Sequence, residues 1–140
     1  MADFATDAAP GMIKREAGRS ALTATGYVGT TWDQRAPVTT RATCVINLEN
    51  PKVSANDESY TFTILGYNAT DRSDATILGQ AIAGASTAGL EKVKAAAGQQ
   101  LTIGFATEKG GVTYRRVDLH LAVAGTAPSV AFNARITKGN

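Results

Sequence analysis

Histidine and cysteine, the side chains best suited to nucleophilic and acid–base chemistry, each occur once in the chain, as His120 and Cys44. His120 lies between two leucines in an alternating segment, so it points away from the apolar side of a predicted strand. No Gly-x-Ser-x-Gly motif accompanies it. Cys44 shares its strand face with Ile46 and Leu48, where a thiol behaves as a small hydrophobic side chain. We interpret His120 as a surface or interface residue and Cys44 as a core residue, and we expect the chain not to be an enzyme.

Carboxylate and amide oxygens concentrate in the segment from Asn68 to Asp74, whose composition favours a loop. Asp71 and Asp74, together with Asn68, offer oxygen ligands of the kind that Ca²⁺ prefers, but this ion takes six to eight of them. Their spacing matches no established calcium-binding loop, and a solvated turn explains the same residues. We therefore predict no metal site.

Basic residues that could hold phosphate are dispersed along the chain. Alternation places Arg115 and Arg116 on opposite faces of a strand, which favours separate solvation or one interface salt bridge over a phosphate patch with Lys92 and Lys94. The glycines form neither a P-loop nor a dinucleotide fingerprint. Fourteen basic and twelve acidic residues leave a net charge of +2, far short of the positive field that a nucleic-acid backbone requires. We expect no cofactor and no nucleic-acid partner.

Large apolar residues in an irregular segment are the remaining candidates for function. Phe4, Ile13, Tyr27 and Trp32 stand isolated among alanine, glycine, threonine and charged residues. Exposed aromatic anchors of this kind dominate many protein interfaces. We interpret these four residues as partner-binding, with the alternative that Trp32 caps the core of its own domain.

The elements that must position these residues are predicted from periodicity. From about Arg41 onward, apolar residues recur at every second position, which indicates β-strands, and turn residues interrupt the pattern about every ten residues. Residues 90–97 stay open between a short helix and a strand. The pattern predicts an all-β domain, a sandwich, jelly roll or barrel, over residues 41–140. The alternating positions are Ala42, Cys44, Ile46 and Leu48; Tyr60, Phe62 and Ile64; Leu101, Ile103 and Phe105; Val117, Leu119, Leu121 and Val123; and Val130, Phe132, Ala134 and Ile136.

Residues 1–40 show neither helical nor strand periodicity. We predict an extended N-terminal arm or loosely attached first strands, whose apolar residues pack on the domain or on a neighbour. A basic segment followed by a continuous apolar stretch is absent from the start of the sequence, and no run reaches the length of a membrane span. A single cysteine also excludes an intrachain disulfide. We expect synthesis outside the secretory route and no membrane partner.

Three stretches of the sequence together resemble the small capsid cement, or decoration, proteins of short-tailed bacteriophages. They are Ser20-Ala-Leu-Thr-Ala-Thr, the pair of strands beginning at Tyr60 and Ala75 with the Asp-rich turn between them, and the segment Tyr114-Arg-Arg-Val-Asp-Leu-His-Leu-Ala-Val-Ala-Gly-Thr-Ala-Pro-Ser-Val-Ala-Phe-Asn-Ala. The similarity spans most of the chain from about Ser20. Residues 1–19 do not match it, and residues 89–100 are more helix-prone than the family pattern.

The resemblance implies a jelly-roll-like β-sandwich that works as a structural virion protein. Such a protein is made in the host cytoplasm and lies on the outer capsid surface, where it clamps neighbouring subunits of the major capsid protein. It also implies self-association, with a homodimer at two-fold positions favoured and a trimer possible. The competing hypothesis is a β-sandwich module that binds carbohydrate or a host surface through Tyr67, Trp32 and the Asp-rich loop.

Overall fold

The computed structural model describes residues 11–53, 57–84 and 93–138. Within these ranges the chain is built from strands and contains no helix. The described residues form eleven strands, in the order β1 (Ile13–Arg15), β2 (Gly26–Asp33), β3 (Arg41–Pro51), β4 (Ser59–Tyr67), β5 (Thr76–Gly84), β6 (Val93–Lys94), β7 (Gln100–Ala106), β8 (Glu108–Lys109), β9 (Val112–Thr113), β10 (Arg116–Ala124) and β11 (Val130–Lys138).

The strands form two main sheets that pack face to face. One has four strands in the order β1-β11-β3-β7, the other has five in the order β2-β10-β4-β5-β6, and β8 and β9 make a small separate hairpin. The pairs β4·β5, β3·β7, β2·β10 and β1·β11 are all antiparallel and nested one outside the next. A long antiparallel ribbon folded over in this way is a jelly roll. The prediction of an all-β, jelly-roll-like sandwich is confirmed.

The core between the sheets is made by the residues whose alternation predicted it. In β3, Ala42, Cys44, Ile46 and Leu48 are all at most 4% exposed, and the residues between them face outward. The ring of Phe62 meets the ring of Phe132 edge to face, with centroids 5.1 Å apart. Because these rings belong to different sheets, their contact is one of the links that hold the two layers together.

Glycines allow the two sheets to approach closely at both of their open sides. On one side, a Cβ built on Gly29 of β2 would lie 2.3 Å from the carbonyl oxygen of Lys14 in β1. On the other side, a Cβ on Gly79 of β5 would lie 2.5 Å from the Cγ2 atom of Ile103 in β7. Because neither glycine has a side chain, atoms of the opposite sheet occupy the space where a Cβ would lie.

The region expected to form an arm or first strands supplies a strand to each sheet. β1 pairs with β11 in one sheet and β2 pairs with β10 in the other, and Met12, Val28 and Trp32 belong to the core. Residues 11–33 are therefore first strands of the sandwich and not a separate arm. Of the segment 90–97, Val93–Lys94 forms β6, which runs parallel to β5, while residues 90–92 lie outside the described ranges.

Candidate functional site

The four residues expected to bind a partner have different positions in the fold. Ile13 and Tyr27 are each 46% exposed, whereas Trp32 is only 2% exposed. The interpretation of Trp32 as an exposed anchor is wrong, and the alternative that it fills its own core is the one observed. Phe4 lies outside the described residues.

A bulge explains why the alternation in β2 did not reveal that Trp32 faces inward. Val28 and Trp32 pair with Leu119 and Val117, so four steps along β2 match two along β10. The extra residues include Gly29, whose φ of +73° lies in the left-handed region. Val28 and Trp32 therefore both face the core, although the residues between them do not alternate between buried and exposed positions.

Ile13 and Tyr27 come together at the side of the sandwich where β1 crosses β2. A cleft of about 360 Å³ lies there, lined by Ile13, Arg15, Arg19, Leu22, Tyr27 and the start of the β2 bulge. Its volume falls in the range typical of ligand pockets. We call this feature the corner cleft. It contains Ile13 and Tyr27, the two predicted partner-binding residues that are exposed.

Lys14 lies beneath the corner cleft and is 3% exposed. Its ammonium group donates hydrogen bonds to the carbonyl oxygens of Thr30, at 2.7 Å, and Val117, at 3.2 Å. Burial lowers the pKa of Lys14 from 10.5 to about 8, and negative charge on Asp118 acts in the opposite direction. The buried ammonium thus ties β1 to two strands of the other sheet.

Arg15 places an unsatisfied donor in the corner cleft. Its guanidinium donates a hydrogen bond to the carbonyl oxygen of Ser20 and lies 5.2 Å from the centroid of the Phe132 ring. Its Nε–H is buried and has no hydrogen-bond partner among the described residues. Burial, together with the positive charge of Arg19, lowers the pKa of Arg15. The corner cleft therefore holds the guanidinium groups of Arg15 and Arg19, and the Nε–H of Arg15 is a donor without an acceptor among the described residues.

The exposed ring of Tyr27 is held in place by an arginine from a distant loop. The guanidinium of Arg72 lies 4.0 Å from the centroid of the Tyr27 ring, and its Nε bonds to a carboxylate oxygen of Asp118 at 2.6 Å. The other carboxylate oxygen accepts a hydrogen bond from the hydroxyl of Thr31 at 2.7 Å. His120 adds an edge-to-face contact with Tyr27, with centroids 5.0 Å apart. This cluster extends the corner cleft onto the outer face of the five-stranded sheet.

The Asp-rich segment is the turn that carries Arg72 to this cluster. The carboxylate of Asp74 accepts hydrogen bonds from the backbone N–H groups of Asn68 and Ala69 at 3.0 to 3.2 Å. Asp71 accepts one from the N–H of Ser73 at 3.0 Å. Arg72 itself has a φ of +63°, an uncommon value for a residue with a side chain. The acidic side chains that suggested a cation are engaged in shaping the loop, and no group of three or more potential metal ligands occurs in the described ranges.

The remaining residues with chemical potential are accounted for by packing and ion pairing. Cys44 is fully buried, as predicted, and burial raises its pKa to about 12. A thiol in this state is a poor nucleophile. Asp118 lies on the outer side of β10 with His120, yet it is only 3% exposed because Arg72 covers it. Tyr67, named for the carbohydrate hypothesis, is also buried, at 3%.

Replacing Arg72 with alanine is expected to lower the free energy of unfolding by about 1–3 kcal/mol, because the buried carboxylate of Asp118 would lose its charged partner. Arg115→Ala is the matched control. Its ion pair with Asp33 is as short, at 2.7 Å, but both side chains are 37% exposed, so its loss should lower the free energy of unfolding clearly less than the loss of Arg72 does. Urea denaturation of both variants measures the difference, and equal losses would contradict the assignment of Arg72 as an anchor.

Comparison with known proteins adds little to this geometry. The sequence matches no known protein-family model and no curated protein. Among solved structures it is similar to the CBM22-1–GH10 modules of endo-1,4-beta-D-xylanase 10B from Clostridium thermocellum, crystallised with xylohexaose, with 7% identity and a TM-score of 0.39. The match covers 89% of this chain and 26% of the xylanase chain. A similarity at this level says nothing about what the chain binds. No helix in the described ranges is long and apolar enough to span a membrane.

Proposed function

We propose that the chain is a non-enzymatic capsid cement protein that binds the outer surface of a bacteriophage capsid and clamps neighbouring major capsid subunits. The observation that carries the proposal is the position of the stretch with the strongest resemblance to such proteins. Residues 114–134 include β10 and part of β11, which pair with the first strands of both sheets. The resemblance therefore lies in the scaffold that fixes the arrangement of the whole sandwich.

The surface of the four-stranded sheet suits extensive contact with another protein. Its central outward positions include Thr43, Val45, Thr102 and Gly104, which are short and uncharged, while Arg135 beside Val45 and Arg41 at the start of β3 are charged. Next to them a chain of amide contacts crosses three strands, from Gln100 to Asn47 at 3.0 Å and from Asn47 to Asn133 at 2.9 Å. A broad surface of this kind packs closely without desolvating many charges.

Binding at many equivalent positions gives such a protein its effect on a shell. A molecule that bridges two subunits makes its second contact intramolecular, so modest individual contacts add to a strong attachment. Closed two-fold symmetry in a homodimer, or three-fold symmetry in a trimer, would present identical contacts to repeated capsid subunits. The major capsid protein and a second copy of the chain are the partners that this proposal requires.

Co-sedimentation with capsids stripped of the protein tests the proposal. We expect the intact chain to pellet with stripped capsids, to saturate at a fixed copy number and to raise the temperature at which the shell breaks. A variant lacking residues 1–10 keeps all described strands and shows whether the first ten residues contribute. Failure of the intact chain to bind would overturn the proposal.

A carbohydrate-binding module is the second candidate, favoured by the exposed ring of Tyr27 beside Arg72 and Asp118. Aromatic rings with neighbouring hydrogen-bonding groups are a common way to hold a ligand in place. This function requires that soluble saccharides raise the melting temperature of the isolated chain, and that Tyr27→Ala removes the effect. A glycan array without signal would contradict carbohydrate binding and leave the cement function as the remaining candidate.

A further inference from the structure

Positively charged side chains outnumber acidic ones around the corner cleft. Lys14, Arg15 and Arg19 contribute three positive charges, against Glu16 in the lining and Glu49, whose negative charge acts on Arg15. Arg19 is exposed and makes no hydrogen bond or ion pair among the described residues. Holding like charges close together lowers stability unless an anion joins them.

The Nε–H group of Arg15 is a hydrogen-bond donor of the corner cleft that lacks an acceptor among the described residues. A buried N–H without an acceptor costs about 1–3 kcal/mol, and the described part of the chain supplies no acceptor for the Arg15 Nε–H. A guanidinium presents its donors in a planar fork that matches the two oxygens of a carboxylate. A carboxylate from outside the described fold is a group whose shape and charge match this donor set.

Apolar walls distinguish this recess from a site for a free small anion. Ile13 is 46% exposed at one wall, and Leu22, partly buried, packs against the core at another. Leu22 also forms a single backbone bridge with Val130, so its position is fixed. A ligand that fills the cleft needs an aliphatic side chain as well as a carboxylate, which is the chemistry of an acidic peptide segment.

We propose that the corner cleft binds an acidic segment of the capsid partner, with a carboxylate on Arg15 and Arg19 and an aliphatic side chain between Ile13 and Leu22. This inference rests on the proposed cement function, and it names the contact by which the protein recognises its partner. Nucleic acid is disfavoured, because the cationic area is a single recess and the chain carries a net charge of only +2.

The test is co-sedimentation of the full chain and three variants with stripped capsids at low and moderate salt. Arg19→Glu reverses an exposed charge in the cleft, and Arg15→Lys keeps the charge but removes the guanidinium fork. Lys109→Glu is the matched control, since Lys109 is exposed on the small hairpin β8–β9, which belongs to neither main sheet. We expect the dissociation constant to rise about tenfold or more for Arg19→Glu, several-fold for Arg15→Lys, and less than twofold for Lys109→Glu.

Each outcome bears on the inference separately from the function. Binding by the full chain with equal affinities for Arg19→Glu and Lys109→Glu would overturn the acidic-segment site and leave the cement function standing. No binding by the full chain would overturn both. If a duplex DNA oligonucleotide competes with capsids for the full chain but not for Arg19→Glu, the occupant is nucleic acid and the inference is wrong. If Arg19→Glu and Lys109→Glu bind equally in chains that lack residues 1–10, the occupant is the chain's own segment with Asp3 and Asp7, and the inference is again wrong.

Discussion

Gly29→Ala is expected to lower the free energy of unfolding by about 2–5 kcal/mol. A residue with a side chain at a φ of +73° carries roughly 1–2 kcal/mol of backbone strain. The new Cβ would also lie 2.3 Å from the carbonyl oxygen of Lys14, so β1 must shift, at a cost of roughly 1–3 kcal/mol. A domain of this size should then melt about 6–20 °C lower, which differential scanning calorimetry measures directly.

Gly26→Ala is the control for this effect, because Gly26 lies in the same strand, has no atom within 4 Å of a built Cβ, and has an ordinary φ. It should change the melting temperature little, or raise it slightly by restricting the unfolded chain. If Gly29→Ala behaved like Gly26→Ala, the close crossing of β1 and β2 would not be a property of the folded protein.

Lys14→Met should raise the free energy of unfolding at pH 7 by about 1–3 kcal/mol. A pKa lowered from 10.5 to about 8 means that burying the charged lysine costs about 3 kcal/mol. Methionine has a similar length and no charge to desolvate. Loss of the ammonium donor to the carbonyl oxygens of Thr30 and Val117 offsets part of the gain. Urea denaturation at pH 7 measures the net change, and a destabilised variant would show that the two hydrogen bonds outweigh the desolvation.

The same lysine predicts how stability depends on pH. Because its folded-state pKa of about 8 lies below its ordinary 10.5, the unfolded chain binds more protons between these values. The free energy of unfolding therefore rises with pH in that window. Cys44 has the opposite effect on the free energy of unfolding. Its pKa is raised from 9.0 to about 12, so the neutral buried thiol contributes stability that is lost as the pH rises between these two values.

The two groups together should give a rise of about 1 kcal/mol between pH 7 and pH 9, followed by a plateau. In Lys14→Met the rise should be absent. In Cys44→Ala it should continue above pH 9, because the opposing titration of the thiol is then removed. A wild-type curve that falls steadily from pH 7 would contradict the buried position of Lys14.

Strand positions were predictable from the sequence where alternation was uninterrupted. β3 and β4 match the predicted apolar faces residue by residue, and Cys44 was correctly placed in the core from its neighbours alone. β2 was not predictable, because the bulge at Gly29 breaks the alternation that would have shown Trp32 facing inward. The length of β1, only three residues, is too short for a periodic signal.

The candidate site was predictable only in part, for a physical reason. Ile13 and Tyr27 could be singled out as isolated apolar residues, but their meeting at one cleft depends on β1 and β2 belonging to different sheets. Arg72 and Asp118 carry no local signal, since their ion pair joins residues 46 positions apart. Long-range pairs of this kind are set by topology, which a single sequence does not reveal.

The nested strand pairing also determines when the chain can finish folding during synthesis. β1 pairs with β11, so that Ile13 lies opposite Arg135, and β2 waits for β10 in the same way. The first strands to leave the ribosome are thus the last to find their partners, and the innermost pair β4·β5 is complete long before them. Folding should proceed from the middle of the chain outward and be slow, as expected for contacts so distant in sequence. Until the segment through Lys138 has emerged, Met12 and Trp32 have no complete core to enter, and a chaperone has a defined stretch of nascent chain to protect.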